Sequence, residues 1–258
     1  YTTGSNNTGV GFRASMNLTS GTGNVTVGHQ AGINQSIGSY NTLLGTEAGY
    51  SNATAGNVVA VGYQALYSNT ASGNVAVGYQ ALILNTSGSS NVAMGTQALY
   101  TNLIGNNNTA IGHLALYANT TNNNSAFGYK ALFANTTGTY NVAVGSSALV
   151  SNTIGSKNSA VGFGALFANT TGKNNSAFGY NTLGGNTTGI QNTAMGGQAL
   201  QNNTIGVNNS AFGSYALLNN TTGNQNVAVG YQSLKANTTG VSVSYTHLRA
   251  HETREDLV

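Results

Sequence analysis

Apolar and polar residues alternate in a fixed order that returns every 17 residues, with two steps of 16. The order is easiest to follow from one glycine column: Gly11, Gly28, Gly45, Gly62, Gly78, Gly95, Gly112, Gly128, Gly145, Gly162, Gly179, Gly196, Gly213 and Gly230. Around it the unit reads Asn-x-Ala-x-Gly-x-x-Ala-Leu-x-x-Asn-Thr-Thr-Gly-x-x, nearly intact at Asn124–Gly138 and Asn226–Gly240. Self-similarity at a fixed short period is the mark of stacked repeats, each burying its apolar face on the next. A unit of 17 residues is too short for two helices and a turn, and its Asn-Thr-Thr-Gly segment opposes helix. Two short strands and two bends per unit are therefore expected. The fold class that follows is all-β: a parallel β-solenoid, or β-roll, of about fourteen coils, a rod of roughly 65–70 Å at the usual inter-strand spacing.

Alternation along the first strand puts Asn91, Ala93 and Gly95 on one side and the residue before the glycine on the other. The large apolar set Val77, Met94, Ile111, Phe127, Val144, Phe178, Met195 and Phe212 is then expected inside the coil. It should be faced there by the leucine column of the second strand: Leu66, Leu82, Leu99, Leu116, Leu132, Leu149, Leu166, Leu183, Leu200, Leu217 and Leu234. Glycine at a fixed place suits a positive φ or a close backbone approach, and the Asn columns suit amide ladders along the stack. With the leucines inward, two aromatic columns turn outward: Tyr63, Tyr79, Tyr129, Tyr180 and Tyr231, then Tyr67, Tyr100, Tyr117, Phe133 and Phe167. Long exposed aromatic ladders mark interfaces, so these residues are the candidates for self-association, with stacking on glycans as the lesser use.

Composition removes most chemistry. Charged residues are 4% of the chain and cysteine is absent, so disulfides and thiolate metal sites are excluded. Residues 1–240 contain one acid, Glu47, so no carboxylate pair for acid–base work can be assembled. His29 and His113 directly follow the column glycine, where Tyr63 and Tyr79 stand in other units, and read as column substitutions. No Ser or Thr has a His and an acid within plausible reach, and the Asp positions of glycine-rich calcium repeats are missing. No catalytic residue, metal site or cofactor is expected, and the chain reads as a non-enzyme. Arg13, Lys130, Lys157, Lys173 and Lys235 are scattered over bends and outer positions, which suits solubility and edge protection and gives no nucleic-acid patch. No run of about 18 apolar residues marks a membrane segment.

Eighteen Asn-x-Ser/Thr sequons occur. One set occupies the bend: Asn85, Asn119, Asn135, Asn169, Asn186, Asn220 and Asn237; a second, Asn107, Asn123, Asn174 and Asn208, precedes the first strand. Both are candidates for N-glycosylation, against the alternative that a ladder Asn needs its amide for hydrogen bonding.

The block Asn57-Val58-Val59-Ala60-Val61-Gly62 resembles the Asn-Ser-x-Ala-Ile-Gly head repeats of trimeric autotransporter adhesins. The Asn-Thr-Ala-x-Gly-Tyr-Gln-Ala-Leu type of unit is also similar to repeats of phage-type tail fibres and surface proteins that end in an endosialidase-type chaperone domain. The resemblance covers residues 7–240 and implies a left-handed, trimeric β-roll that displays a shaft or adhesive surface, although the unit is longer than the adhesin-head repeat. Residues 241–258 leave the repeat and hold five of the eleven formal charges; Ser244–Thr253 resembles translated sequencing-adapter read-through, the other reading being a cap or the start of a stalk. No role is assigned to His247, His251 or Glu252.

The expected function is a structural fibre, filament or adhesin shaft, extracellular or on a cell or virion surface. Its expected partners are copies of itself, as a homotrimer or filament, with covalent glycans or host glycans on its surface. An ice-binding solenoid is the alternative, on the threonine column Thr70, Thr86, Thr120, Thr136, Thr153, Thr170, Thr187, Thr204, Thr221 and Thr238. A phage tail-fibre receptor-binding segment is the third reading, and its glycan-cleaving form lacks the clustered carboxylates it needs.

Overall fold

The computed structural model describes residues 3–246, which form one parallel sheet of fifteen strands in sequential order, from Thr8–Val10 to Ser244–Tyr245. Pairing is in register throughout: Ser159, Ala160 and Val161 lie opposite Val142, Ala143 and Val144, and likewise along the array. Each coil joins one strand to its neighbour, and the result is a β-solenoid of about fourteen turns of about 17 residues, as the period predicts. Val243–Tyr245 continue the ladder past Gly240, Ser244 pairing with Val227. His247, His251 and Glu252 lie outside the described residues.

Each coil contains one strand of about three residues and no second strand. Past the column glycine the chain makes overlapping turns. In one coil Ala131 N–H donates to Gly128 O at 3.3 Å, Phe133 N–H to Lys130 O at 3.3 Å and Asn135 N–H to Leu132 O at 3.2 Å. Lys130 and Leu132, each third in its turn, have φ of 53° and 52°. A leucine in the left-handed region is unfavourable by about 1–2 kcal/mol, yet the same conformation recurs at all eleven residues of the leucine column. Two things hold it: the side chain is fully buried in ten of the eleven, Leu66 to Leu217, and the N–H bonds the next coil, as from Leu132 to Ala148 O at 3.0 Å. Tertiary packing thus selects a chain path that local propensity would not.

The core lies between the strand and this turn face. It consists of the central strand alanine, the alanine after the first turn and the leucine, as in Ala143, Ala148 and Leu149, all fully buried. The residue before the glycine points the other way, correcting the expectation that it fills the interior. Met94, Ile111, Phe127, Val144, Phe178, Met195 and Phe212 are 37–49% exposed, and Val77 is half-buried. The leucines meet alanines and not this large set, because a coil this thin has room for one large side chain per level.

Two Asn ladders close the core on either side. In the strand ladder each Oδ1 accepts the backbone N–H of the next Asn, as from Asn108 to Asn91 at 3.0 Å, and Nδ2 donates to a glycine carbonyl, as from Asn91 to Gly105 at 2.8 Å. In the bend ladder amide follows amide: Asn135 Nδ2 to Asn119 Oδ1 at 2.8 Å, Asn152 to Asn135 at 2.9 Å and Asn169 to Asn152 at 2.7 Å. Among the described residues only Gln35 Oε1, where Gln replaces the ladder Asn, is buried without a partner. Buried polar columns are tolerated because nearly every atom is paired.

The column glycine is needed on two counts. Gly145 has φ of 129°, and a Cβ there would lie 2.6 Å from Gly162 O and 2.7 Å from its carbonyl carbon. The glycines of successive coils stack backbone on backbone.

Candidate functional site

The outer surface is a set of parallel columns, and its chemistry follows from which columns the coil turns outward. On the strand side, alternation over three residues exposes the first and third positions. The third-position column carries Val, Met, Ile or Phe in nearly every coil, ten of these positions being 37–56% exposed and the other four half-buried. An uninterrupted apolar stripe along the length of the array is the kind of surface that marks an interaction site. Sequence reasoning assigned these residues to the core. The signal that separates the two columns is side-chain size: the central position is almost always Ala, as a core of fixed spacing demands, whereas the third ranges from Val to Phe, as only a solvent-facing position permits.

The first aromatic column lies outward as expected: Tyr63, Tyr79, Tyr129, Tyr180 and Tyr231 are 44–55% exposed. In the second column Tyr67, Tyr100, Tyr117 and Phe133 are half-buried, and Phe167 is exposed. Within both columns the rings stack on one another along the rod. Tyr63–Tyr79 centroids are 5.6 Å apart, Tyr50–Tyr67 4.7 Å, Tyr100–Tyr117 5.0 Å and Tyr117–Phe133 5.3 Å, with planes inclined by 11–18°. Covered ring faces leave mainly edges for a partner, which opposes sugar stacking along these columns. His29 stacks on Phe12 at 5.4 Å and His113 on Tyr129 at 5.6 Å, so both histidines act as ring substitutes in the first column.

Between the aromatic columns runs an amide row. Gln97 Nε2 donates to Gln80 Oε1 at 3.1 Å, Gln80 Nε2 to Gln64 Oε1 at 3.0 Å, and Gln64 Nε2 to Glu47 Oε2 at 2.8 Å. Lys130 takes the same position further along, its Nζ 5.3 Å from the Tyr129 centroid and 5.6 Å from that of Phe133. Arg13 lies over Phe12 at 5.0 Å and Lys235 over Tyr215 at 5.6 Å, cation–π contacts within reach of an outer aromatic column. Lys157 and Lys173 are exposed in the bends. The Tyr67 phenol is pushed above the ordinary tyrosine range by burial first and then by the charges of Glu47, Tyr50 and Tyr63.

The threonine column does not present free hydroxyls. From Thr70 to Thr221 each Oγ1 donates to a carbonyl of the next coil at 2.7–3.1 Å, Thr86 to Leu103 O and Thr120 to Thr136 O among them. A face that orders ice needs hydroxyls aimed at water, and these are used to tie bend to bend.

The two sequon sets separate sharply. Asn85, Asn119, Asn135, Asn169, Asn186 and Asn220 are fully buried, with Nδ2 donating inside the bend ladder, and Asn237 donates to Asn220 Oδ1 at 3.2 Å. A glycan bonds to that same nitrogen, which in the bend set is already used inside the ladder. Asn107, Asn174 and Asn208 are exposed and Asn123 is half-exposed, all at φ of 57–61°, on the outside of the turn into the strand.

Among the described residues no group of three or more His, Cys, Asp or Glu is assembled, and no helix is long and apolar enough to cross a membrane. No protein-family model matches the chain, and no curated protein matches it either.

Proposed function

We propose that the chain is the rod of an extracellular fibre or adhesin shaft that associates laterally with copies of itself through the outer face of its sheet. One observation carries the reading: an uninterrupted apolar stripe from Val27 to Val229, exposed or half-buried at every coil, is the kind of surface that marks an interface. Its regular repeat along the rod favours a partner with the same repeat, which a second copy supplies. The exposed tyrosine edges flank this stripe across the column glycine and extend the contact. The near absence of acids supports a non-catalytic role, and the exposed Asn107, Asn174 and Asn208 are the positions at which the surface can carry glycans.

Sedimentation velocity of the whole chain tests the assembly. An oligomer is expected, and Met195→Lys with Phe212→Lys, both on the exposed stripe, are expected to shift it to monomer with an unchanged circular dichroism spectrum. A wild-type chain that sediments as a monomer at about 100 μM, where even a weak complex near −6 kcal/mol would assemble in good part, refutes the reading.

A further inference from the structure

The second aromatic column has one vacancy. At its position in successive coils stand Tyr100, Tyr117, Phe133, Val150 and Phe167, and then Gly184, followed by Gly185 where other coils carry Ala, Ser, Thr, Asn or Leu. Gly184 is in register with Phe167 and Gln201: Ala168 N–H donates to Gly184 O at 2.9 Å and Gly185 N–H to Gln201 O at 2.7 Å. With no side chain between them, a cleft of about 270 Å³ opens, lined by Phe167, Asn181, Gly184, Gly185, Gln201 and Asn202.

Its height follows from the stacking. Rings elsewhere in the column are 4.7–5.3 Å apart, one coil each, and Phe167 and Gln201 are two coils apart. The cleft therefore takes one ring between two walls. Phe167 is 48% exposed, whereas the stacked Tyr117 and Phe133 are half-buried, so it offers the uncovered aromatic face that the rest of the column lacks. Around that face, amide groups are left over. Gln201 Oε1 accepts from Gln198 at 2.7 Å and Asn202 Nδ2 donates to Asn219 at 3.2 Å. Among the described residues this leaves Gln201 Nε2, Asn202 Oδ1 and both ends of the Asn181 amide without a protein partner.

We propose that this cleft binds a single neutral pyranose ring. One ring face lies on Phe167, and the hydroxyls pair with a set that offers both donors and acceptors. An aromatic or aliphatic side chain from another protein would fill the height but strand the amides. No Lys, Arg, Asp or Glu lines the cleft, which selects a neutral sugar over a uronic or sialic acid. At about 270 Å³ it lies just below the ~300 Å³ at which small-molecule pockets begin, so one sugar unit is the ligand and millimolar affinity is expected. The site is on the turn face of the coil, apart from the apolar stripe, so it stands or falls independently of self-assembly.

Saturation-transfer NMR on the whole chain, with methyl glycosides of glucose, galactose, mannose and N-acetylglucosamine as probes, tests the proposal. At least one is expected to bind, with signal lost by about tenfold or more in Gly184→Phe, which restores the missing ring. Gly184 has no positive φ, and an added Cβ would meet Asn181 O at 3.1 Å, a tight contact within its own turn, so an unchanged circular dichroism spectrum is required of that variant as well. Phe167→Val, a residue the column already accepts at Val150, should weaken binding similarly with an unchanged circular dichroism spectrum. No binding by any probe, or binding undiminished in Gly184→Phe, overturns the proposal. So does a Gly184→Phe variant that loses self-association where no sugar binds, because the cleft is then a protein contact.

Discussion

Asn152 sits mid-rod in the bend ladder, fully buried, and holds three side-chain hydrogen bonds. Its Nδ2 donates to Asn135 Oδ1 at 2.9 Å and to Gly155 O at 2.9 Å, and its Oδ1 accepts from Asn169 Nδ2 at 2.7 Å. In Asn152→Ala the Gly155 carbonyl keeps Asn141 Nδ2 at 2.8 Å, and Asn169 keeps Gly172 O at 3.1 Å. The Asn135 Oδ1 is left orphaned. Three bonds are lost: the two whose partners keep another bond count for about 1 kcal/mol each, and the third, which orphans a buried acceptor, for about 1–3 kcal/mol, a loss of about 3–5 kcal/mol. Asn152→Asp is the sharper test, since it keeps the shape and removes the donor. A carboxylate there faces two acceptors in a buried site, so the folded state favours the protonated form and raises its pKa above the unfolded ~3.9. The native state then binds more protons than the unfolded one, and stability falls as pH rises from the unfolded pKa through the folded one. The Asp variant is therefore expected to stand nearest wild type at about pH 4 and furthest below it at about pH 8. Guanidinium unfolding followed by far-ultraviolet circular dichroism measures both, and Glu47 is the only acidic side chain among the described residues to add background. An Ala variant within about 1 kcal/mol of wild type at equal m value, or an Asp variant equally stable at both pH values, refutes the ladder's role.

Three further outcomes follow from packing. Gly196→Ala and Gly197→Ala are neighbours with opposite fates. At Gly196, φ is 127° and a Cβ meets the Gly213 carbonyl carbon at 2.6 Å, so loss of about 3 kcal/mol or more is expected, while at Gly197 the nearest atom is 3.9 Å away and thermal melts should shift little or upward by the ~0.4–1 kcal/mol of a compatible Gly→Ala change. Leu43 and Gly49 exchange the usual Ala and Leu of a coil; Leu43→Ala should lose about 2–5 kcal/mol and Gly49→Leu should clash, its Cβ 2.8 Å from Leu43 Cδ2, whereas the double variant should recover a good part of both in a double-mutant cycle. Expressed in a glycosylating host and mapped by mass spectrometry, the chain is expected to carry glycans at Asn107, Asn174 or Asn208 and none at Asn135 or Asn169; occupancy at the buried pair in folded rods would contradict the bend ladder.

The period, the parallel stack, the inward leucines and the Asn ladders were legible in the sequence because each is a column, and a column repeats its reason in every coil. The direction of the strand was not. Alternation says that neighbours point apart and leaves open which side is in, and the rule that larger apolar residues go inside chose wrongly. At a fixed spacing between coils, the interior position must keep one size, so the near-constant Ala was the inward residue and the variable Val, Met, Ile and Phe the outward one. The second strand failed for a different reason. Ala131 and Leu132 carry no local signal for a left-handed leucine; burial and the bond to Ala148 impose it. For the sequons, the motif describes what an enzyme reads in an extended chain, and only the ladder shows that the same nitrogen is already bonded.

Regular columns build a rod but do not distinguish one level from another, so a specific ligand needs a break in the pattern. The breaks are of two kinds. Leu43 with Gly49 moves the core volume from one position of the coil to another and leaves the space filled. Val58 gives up the ladder amide but keeps its own N–H bond to Asn41 Oδ1 at 2.9 Å. Both are compensated, and structure accounts for them. Gly184 is of the other kind: the side chain removed is replaced by nothing, the ring below it is uncovered, and the amides around it are left unpaired. A rod selected only for stacking has no reason to keep that opening, since refilling it with the Tyr, Phe or Val of neighbouring coils would add burial. It is this lack of compensation that carries the proposal of ligand recognition at the level of Phe167 to Gln201, as the uniform stripe on the strand face carries the proposal of assembly.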